Sequence, residues 1–347
     1  MNLVIVTGAG ASRELGQEAP LPLMADWCDR LCEALDAHEP GLAAAAGLKP
    51  GISGEEFEEA LGALLRWQDL RPLNQRFFGL GGSNVGKFPT EVQHCFEREG
   101  ERLRTVMVTL NASLYREFGA GQISVSSAAD AYSWLMSRLH TKVRPVFVTT
   151  NYDCSIEMGL EELGFEPNTG FVRRQGLSPK LAPEGLVGRV AGSEREVGVL
   201  HLHGAVGWYQ QQGEVIEFYA DQPYNDTMGV PSVLYPDPEK DPTRDAAVQA
   251  LWDEFDHALD AATHVLVVGH SMHDRALVER LRRARATIGV CVHAHDDEPQ
   301  VRKEQLKRVR RLFPSALAVP TRFGPDPWFD LDVLMAWSSG AALIEMG

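Results

Sequence analysis

The sequence predicts an α/β protein: a parallel sheet with helices on both faces and a helical subdomain inserted into it. Short, almost continuously apolar segments recur along the chain and end in small or polar residues, as parallel strands covered on both faces do. Amphipathic helical segments alternate with them, and more than a hundred residues of helical periodicity follow the first. The predicted strands are Leu3–Thr7, Val143–Thr150, Val197–His203, His264–Gly269, Ile288–His293 and Ala316–Pro320.

The long helical stretch sets the predicted domain boundaries. Residues 1–23 and 141–325 form the sheet domain, residues 24–140 the inserted helical subdomain, and residues 326–347 a C-terminal segment. The C-terminal segment is more apolar than a free tail, so we expect it to pack on the body of the protein or on a neighbouring subunit. The second possibility predicts a homo-oligomer.

Composition narrows the class of protein. With 347 residues, 44% of them hydrophobic, the chain can bury a sizeable core, and no run approaches the roughly 18 apolar residues of a membrane helix. A net charge of −15 argues against indiscriminate binding to nucleic acid or membranes. The N-terminal residues do not resemble a secretory signal, and five cysteines, an odd number, fit a reducing compartment. We therefore expect a cytoplasmic protein.

Two of these cysteines, Cys28 and Cys32, fall on the apolar face of the first inserted helix with Trp27 and Leu31. Their spacing can suit a metal, but thiols buried in a helical core are the simpler interpretation.

A glycine-rich turn follows the first predicted strand. Glycine there lets the backbone turn tightly and approach a ligand closely, and the following amides can bind a pyrophosphate. The third glycine of the usual Rossmann fingerprint is replaced by Arg13, so an ordinary strand-to-helix turn is the alternative. The pattern favours a Rossmann-like sheet, and the turn itself reads Gly8, Ala9, Gly10, Ala11, Ser12.

Polar residues also follow the second predicted strand, namely Thr150, Asn151 and Asp153. In parallel α/β sheets, ligands bind just beyond the carboxyl ends of the strands. An amide and a carboxylate two residues apart at that edge are well placed to hold ribose hydroxyls. The alternative is that Asp153 caps the following helix.

The third predicted strand ends in histidines. Strand alternation puts His201 and His203 on one face, and His203, next to Gly204, lies nearest the ligand edge. Histidine titrates near neutrality and can accept a proton from a sugar hydroxyl or a water. A satisfied core histidine is the alternative. The residues that follow, Gly204–Arg244, contain aromatics and prolines and are predicted to form an irregular loop or lid.

Two later strands end in similar chemistry. Gly269 and Ser271 again combine a glycine turn with a hydroxyl, and Asp274 then opens a helix. Hydrogen-bond acceptors follow the predicted strand Ile288–His293 and can meet an adenine ribose. Alternatively they form a metal cluster, although no further ligand lies nearby to complete it. These acceptors are His293, His295, Asp296 and Asp297.

Together and in this order, the motifs resemble those of the sirtuin family over about residues 1–300. The turn at Gly8–Ser12 resembles the family's Gly-Ala-Gly-x-Ser loop, and Asn151–Asp153 its Asn-x-Asp element. His203–Gly204 resembles its catalytic His-Gly pair and Gly269–Ser271 its Gly-x-Ser element.

Some features of the sequence depart from those of the family's protein deacetylases. Its protein deacetylases usually carry a four-cysteine zinc module between the Asn-x-Asp and Gly-x-Ser elements, but no cysteine occurs between Ser155 and Val290. The helical insertion and the residues around Asn151 are instead similar to bacterial sirtuin-like proteins of antiphage defence, which hydrolyse NAD. Deacetylation therefore ranks last among the possible activities.

The resemblance implies an enzyme whose substrate is NAD and which needs no metal. Asn151 would hold the nicotinamide ribose and the attacking water, His203 would be the general base, and Asp153 would fix Asn151 or the ribose. The glycine-rich turn would wrap the pyrophosphate, and Gly269 and Ser271 would meet the adenosine half. The implied NAD-binding residues are Gly8, Ala9, Gly10, Ala11, Ser12, Thr150, Gly269 and Ser271.

The activity implied is that of an NAD glycohydrolase, which releases nicotinamide and ADP-ribose and depletes NAD in antiphage defence. A non-catalytic NAD or ADP-ribose sensor or assembly module and a protein ADP-ribosyltransferase are the alternatives. Such an enzyme needs restraint, which oligomerisation or a co-encoded partner would supply. By resemblance, that partner would be a DNA-translocating ATPase or an Argonaute-like protein.

Two further patterns have simple interpretations. Residues Gly81–Lys87 nearly match a P-loop, but Phe88 replaces the Ser or Thr that binds magnesium, and no apolar strand precedes them. The helix around Val301–Phe313 is rich in Lys and Arg, which is typical of a solvated face, with an acidic partner or nucleic acid as the alternative.

Overall fold

Two β-sheets organise the part of the chain that the structure describes. The computed structural model describes residues 2–64, 90–138, 144–172, 179–190, 194–218, 224, 230–235, 246–292, 299–314 and 317–320. In chain order the strands are β1 (Asn2–Thr7), β2 (Arg144–Thr149), β3 (Glu166–Asn168), β4 (Phe171–Val172), β5 (Lys180–Leu181), β6 (Glu196–His201), β7 (Gly204–Gln211), β8 (Glu214–Glu217), β9 (Val230–Val233), β10 (His264–Val268), β11 (Thr287–Val292) and β12 (Leu317–Pro320).

The first sheet has seven parallel strands in the order β12-β11-β10-β1-β2-β6-β3. From β1 the chain adds β2, β3 and β6 on one side and later returns to add β10, β11 and β12 on the other. Where the direction of the connections reverses, the loops beyond the carboxyl ends of neighbouring strands separate and leave a crevice. The topology therefore places a potential ligand site beyond β1, β2 and β10.

Helices cover both faces of this sheet, which confirms the predicted Rossmann-like α/β class. In chain order they are α1 (Ala9–Ser12), α2 (Met24–His38), α3 (Leu42–Ala45), α4 (residues 54–64), α5 (Thr90–Phe118), α6 (Val125–Arg138), α7 (Ser155–Glu162), α8 (Leu186–Val190), α9 (Ala246–Ala261), α10 (Arg275–Arg283) and α11 (Pro299–Leu312).

Alternate residues of the central strand enter two different cores. Val4 and Val6 of β1 pack with α8, α9, α10 and α11. Leu3 and Ile5 point the other way and pack with α6 and α7. This follows from the two-residue period of a strand, and it explains why β1 is apolar at successive positions.

Helices α2 to α5 build a third core, that of the inserted subdomain. Trp27, Cys28 and Cys32 of α2 are fully buried there, against α5 and against β7 and β8. Burial first, and then the neighbouring Cys32, raise the pKa of the Cys28 thiol to about 12. The interpretation of both cysteines as core thiols is confirmed, because they remain neutral and buried.

Helix α6 packs against α7 and the parallel sheet, although it precedes the predicted boundary at residue 140. It is the crossover helix that leads from the insertion back to β2. This packing favours an end of the inserted subdomain near Phe118, while the domain boundaries themselves stay a prediction.

The second sheet is antiparallel, with strand order β4-β5-β8-β7-β9. The prediction of an irregular loop over Gly204–Arg244 is therefore wrong for the described residues of that segment. Strands β7 and β8 form a hairpin through Gln212 and Gly213, whose φ values are 51° and 82°. Positive φ at both turn positions is the geometry that twisted two-residue hairpins favour.

All six predicted parallel strands are present, with ends shifted by at most two residues. The P-loop-like stretch, the acceptors at residues 293–297 and the C-terminal segment 326–347 lie outside the described residues. The predicted basic helix is present as α11, where Lys303, Lys307 and Arg310 are exposed. Among the described helices, none is long and apolar enough to cross a membrane.

Candidate active site

A cavity of about 520 Å³ lies beyond the carboxyl ends of β1, β2 and β10, where the topology places a crevice. This volume is in the range of sites for small molecules and cofactors. The sheet domain contributes Gly8, Ala9, Gly10, Ser12, Thr150, Asn151, Tyr152, Asp153, His203, Gly269, His270, Ser271, His273 and Asp274. The inserted subdomain and the residues before it contribute Leu21, Pro22, Leu23, Met24, Ala25, Ser53, Gly54, Glu55, Glu58 and Phe118.

The turns after β1 and β10 form one wall of the cavity and pack directly against each other. Gly269 has a φ of 61°, and a Cβ there would lie 2.2 Å from the amide nitrogen of Ala11. A Cβ on Gly8 would lie 2.8 Å from the carbonyl oxygen of Gly269. Glycine is needed at both positions because any side chain would push the two turns apart.

Backbone hydrogen bonds hold the two turns in contact. The amide of Gly8 donates to the carbonyl of Val268 over 3.0 Å, and that of Gly10 donates to the carbonyl of Gly269 over 2.9 Å. The amide of Ala11 donates to the carbonyl of Gly8. These three amides therefore serve the protein itself, and Ala11 is buried beneath the turn rather than in the cavity wall.

Ser12 connects the glycine-rich turn to the polar residues that follow β2. Its hydroxyl donates to Oδ2 of Asp153 over 2.9 Å and accepts a hydrogen bond from Nδ2 of Asn151 over 2.8 Å. The backbone amide of Asn151 donates to Oγ1 of Thr149. Three residues from two different strand ends thus form a buried chain that fixes the side chain of Asn151.

Asp153 has a second partner. Its Oδ1 accepts a hydrogen bond from the amide of Ser155, in the first turn of α7. The Asx-type turn considered for Asp153 at the start of α7 is therefore present together with its bond to Ser12, while the N-cap of α7 is Cys154. One carboxylate links the start of α7 to the network around Asn151.

His203 lines the cavity from a different position than the alternation pattern predicts. Strand β6 ends at His201, and Leu202 and His203 form a turn into β7, which starts at Gly204 with a φ of 73°. Because the chain turns there, the two histidines do not share a face. His201 contacts Glu157 on α7, whereas His203 contacts Asp274 at the start of α10.

The ring of His203 is enclosed by aromatic side chains and a carboxylate. Its Nε2 lies 2.8 Å from Oδ2 of Asp274. The rings of Tyr152 and Trp252 lie 6.5 and 6.4 Å from the imidazole, centroid to centroid. The carbonyl of His203 accepts a hydrogen bond from Leu234. These contacts fix the position and the orientation of the ring.

His201 lies behind Asn151 and is fully buried. Its Nδ1 is 3.4 Å from the backbone oxygen of Asn151, and its Nε2 bonds to Glu157. Burial lowers the pKa of His201, but the charge of Glu157 and this hydrogen bond raise it more, so the pKa lies above its usual value. His201 therefore supports the residues of the site without lining the cavity.

The inserted subdomain supplies the wall that the sequence motifs do not predict. Helix α4 begins after Ser53 with a capping box: the amide of Ser53 donates to Glu56, and the amide of Glu56 donates to the hydroxyl of Ser53. The N-terminal part of α4 that follows this start lines the cavity with Glu55 and Glu58. No local pattern reveals it, because the contact is tertiary.

A polar cluster joins the insertion to the sheet domain at this wall. Nδ1 of His273 lies 2.6 Å from the carboxylate of Glu55. Arg308 of α11 bonds to Nε2 of the same histidine. Three segments far apart in sequence, namely α4, the turn before α10, and α11, thus meet beside the cavity.

The cavity brings together nearly all of the residues predicted as site residues. Asn151, Asp153, His203 and all the predicted NAD-binding residues except Ala11 line it. Their individual roles stay a prediction. Sequence reasoning missed two features: Asp274 as the partner of His203, and the wall made by the insertion. For Asp274 the available signal was a helix-capping aspartate directly after a glycine turn.

In the described part of the chain, no group of three or more His, Cys, Asp or Glu side chains could hold a metal ion. The expectation that no metal takes part stays an expectation.

Comparison with known proteins covers part of the chain that lines the cavity. Residues 145–310 match the family model of the SIR2-like domain, so the prediction of a sirtuin-like domain is confirmed. The match includes Asn151, Asp153, His203 and the turn at Gly269, while the glycine-rich turn after β1 precedes it. It supports an NAD-related function. A search of curated proteins finds no match for the chain.

Proposed function

From the SIR2-like domain at residues 145–310, we propose that the cavity binds NAD and hydrolyses the bond between nicotinamide and ribose. The products are nicotinamide and ADP-ribose. The observation that carries this proposal is the presence of Asn151 and His203 in one cavity, with each side chain held by a buried partner.

The chemistry of the substrate defines what the site must do. Nicotinamide is a pyridinium cation in NAD and leaves as a neutral base, so its departure needs no general acid. The site must stabilise positive charge on the ribose and orient a nucleophile. Of the described residues that line the cavity, none is Lys or Arg, and four are acidic: Glu55, Glu58, Asp153 and Asp274. Carboxylates of this kind stabilise an oxocarbenium-like ribose.

Asn151 fits the role of holding the ribose and the water. Its side-chain amide is bound to Ser12, which is bound to Asp153, so its orientation is set before any ligand arrives. Groups fixed in advance lower the barrier because they need no reorganisation during the reaction. In this proposal Ser12 and Asp153 act by positioning Asn151.

His203 fits the role of general base. As the water oxygen bonds to C1′ of the ribose, one water proton passes to the imidazole, and the electron pair of the C1′–N bond leaves with nicotinamide. The proton is then released to solvent, so one NAD and one water give nicotinamide, ADP-ribose and a proton. A general base of this kind contributes about 10²–10⁴-fold to a rate.

The experiment is nicotinamide release from NAD by the full chain, measured for wild type, Asn151→Ala and His203→Ala. We expect each substitution to lower the rate at least about 100-fold. His257→Ala is the matched control, because this histidine is largely exposed on α9 and does not line the cavity. Turnover within about twofold of wild type in either cavity variant would contradict the assignment. NAD that binds without turnover in the wild type would favour the sensor alternative.

We extend the proposal to the cell on the resemblance alone: the activity depletes NAD as an effector of antiphage defence. Restraint by homo-oligomerisation, or by a partner such as a DNA-translocating ATPase or an Argonaute-like protein, belongs to the same proposal. Light scattering of the purified chain tests the oligomer, and a strict monomer at high concentration would reject it.

A further inference from the structure

We propose that Asp274 is a positioning residue for His203: it holds the imidazole hydrogen on Nε2 and so places the basic lone pair of the ring on Nδ1. This inference rests on the proposed function, since it assigns a new residue to the same site. Asp274 belongs to neither the Asn-x-Asp nor the His-Gly element of the sequence.

The geometry of the pair supports this role. Nε2 of His203 lies 2.8 Å from Oδ2 of Asp274, and the side chains are only 3% and 4% exposed. An ionised carboxylate accepts hydrogen bonds but cannot donate them, so Nε2 must be the donor. Water competes little for either group at this burial. The hydrogen bond therefore selects one tautomer of the ring.

Asp274 is itself held in place. It is the N-cap of α10, and its Oδ1 accepts a hydrogen bond from the amide of Leu277 over 3.0 Å. The cap uses one carboxylate oxygen and His203 uses the other. A rigid helix start thus supports the carboxylate, while the rings of Tyr152 and Trp252 hold the imidazole.

For the reaction, the consequence is that the imidazole of His203 already has its basic lone pair on Nδ1 before the substrate binds. The lone pair on Nδ1 takes a proton from the water as the C1′–O bond forms and the C1′–N bond breaks. The imidazolium that results is stabilised by the adjacent carboxylate. His201 has an analogous carboxylate partner in Glu157, but it does not line the cavity and so cannot act on a ligand there.

Two substitutions separate this role from helix capping. Asn and Ser cap helices about as well as Asp, so Asp274→Asn and Asp274→Ser both retain the bond to Leu277. In Asp274→Asn, the side-chain oxygen serves the cap and the NH₂ group faces Nε2, which forces the hydrogen of the ring to Nδ1. In Asp274→Ser, the hydroxyl is too short to reach the imidazole.

We expect both variants to lower kcat for NAD hydrolysis by about 10²–10⁴-fold, as loss of the base would, with little change in KM. Glu254→Gln is the matched control. This carboxylate is equally buried and accepts hydrogen bonds from the amides of Gly185 and Val187, but it does not line the cavity. We expect its kcat to stay near that of wild type even where its stability falls.

The second readout is the tautomer of His203, measured by ¹⁵N NMR of the histidine-labelled full chain. The chain has 11 histidines, and the signals of His203 are those lost in His203→Ala. We expect hydrogen on Nε2 in wild type, on Nδ1 in Asp274→Asn, and a mixture in Asp274→Ser.

Either of two results would overturn the inference. The first is a His203 tautomer that stays as in wild type in Asp274→Asn and also in Asp274→Ser. The second is a folded Asp274→Ser with wild-type kcat. If wild type does not hydrolyse NAD, the proposed function fails. The NMR result then still decides whether Asp274 fixes the ring of His203.

Discussion

Two buried histidines, two residues apart, are each bound to a carboxylate, and they differ in what they face. His203 and Asp274 line the cavity. His201 and Glu157 lie behind it, next to the backbone of Asn151. The sequence places both histidines on one face at the end of one strand, with His203, next to Gly204, nearer the ligand edge. The turn after His201 makes the difference.

The pair of His201 and Glu157 predicts a pH-dependent stability. The pKa of His201 in the folded protein lies above its usual 6.5. The stabilisation of the folded state by the pair of His201 and Glu157 is therefore complete below pH 6.5 and is lost as the pH rises through the folded pKa. Glu157→Gln removes the charge of the partner. We expect the free energy of unfolding to fall by about 2 kcal/mol at pH 6, and by less at pH 9.

Urea denaturation of wild type and Glu157→Gln at both pH values measures this difference. Glu161→Gln, one turn further along α7 and exposed, is the control and should change little at either pH. An equal loss at pH 6 and pH 9 in Glu157→Gln would show that the charge of His201 does not contribute.

The turns after β1 and β10 show how two elements constrain each other's sequence. Each glycine of this pair is explained by the backbone of the other turn, without a ligand. The same contact brings the ends of both strands together as one wall of the cavity. Part of the motif that indicates nucleotide binding is therefore needed for the fold itself.

This explanation predicts different costs for two glycine substitutions with similar backbone conformations. Gly213 in the β7–β8 turn also has a positive φ, but nothing lies within 4 Å of the position of its Cβ. We expect Gly213→Ala to cost about 1 kcal/mol from the left-handed conformation. Gly269→Ala should cost at least about 3 kcal/mol, because its Cβ would also collide with the backbone of Ala11.

Urea unfolding of the two variants measures the difference. Equal losses in Gly213→Ala and Gly269→Ala would mean that the turns after β1 and β10 can separate without penalty.

The parallel strands could be predicted because each is an apolar run that ends in polar or small residues, which is a local signal. The β7–β8 hairpin was missed since its turn, Gln212 and Gly213, was not recognised between aromatic and β-branched residues. The motif residues met in one cavity because parallel strands place their carboxyl ends at one edge. The bond between His203 and Asp274 spans 71 residues, so it depends on tertiary packing that no local pattern contains.

Over the whole molecule, the inserted subdomain is connected to the site through a continuous core. Trp27 of α2 packs edge-on against Phe118 and against Tyr152, the residue next to Asn151. The same core includes Val206 and Tyr209 of β7. The insertion is therefore a structural part of the cavity, rather than an independent unit attached to the sheet domain.

This continuity predicts that damage to the insertion spreads to the second sheet. Trp27→Ala should lower the free energy of unfolding by about 3–5 kcal/mol. Native-state hydrogen exchange should become faster in both α2 and β7, since both pack in that core. Leu160→Ala, in the separate core that α6 and α7 form with the parallel sheet, is the control and should leave β7 less affected than α7. Faster exchange in α2 with unchanged β7 would contradict the shared core.

We propose that the molecule cleaves NAD, and the molar balance of the reaction measures this activity directly. NAD incubated with the wild-type full chain is followed by quantifying NAD, nicotinamide and ADP-ribose together. We expect nicotinamide and ADP-ribose to appear in equal amounts as NAD disappears. NAD that stays intact at saturating protein, or nicotinamide released without free ADP-ribose, would contradict it.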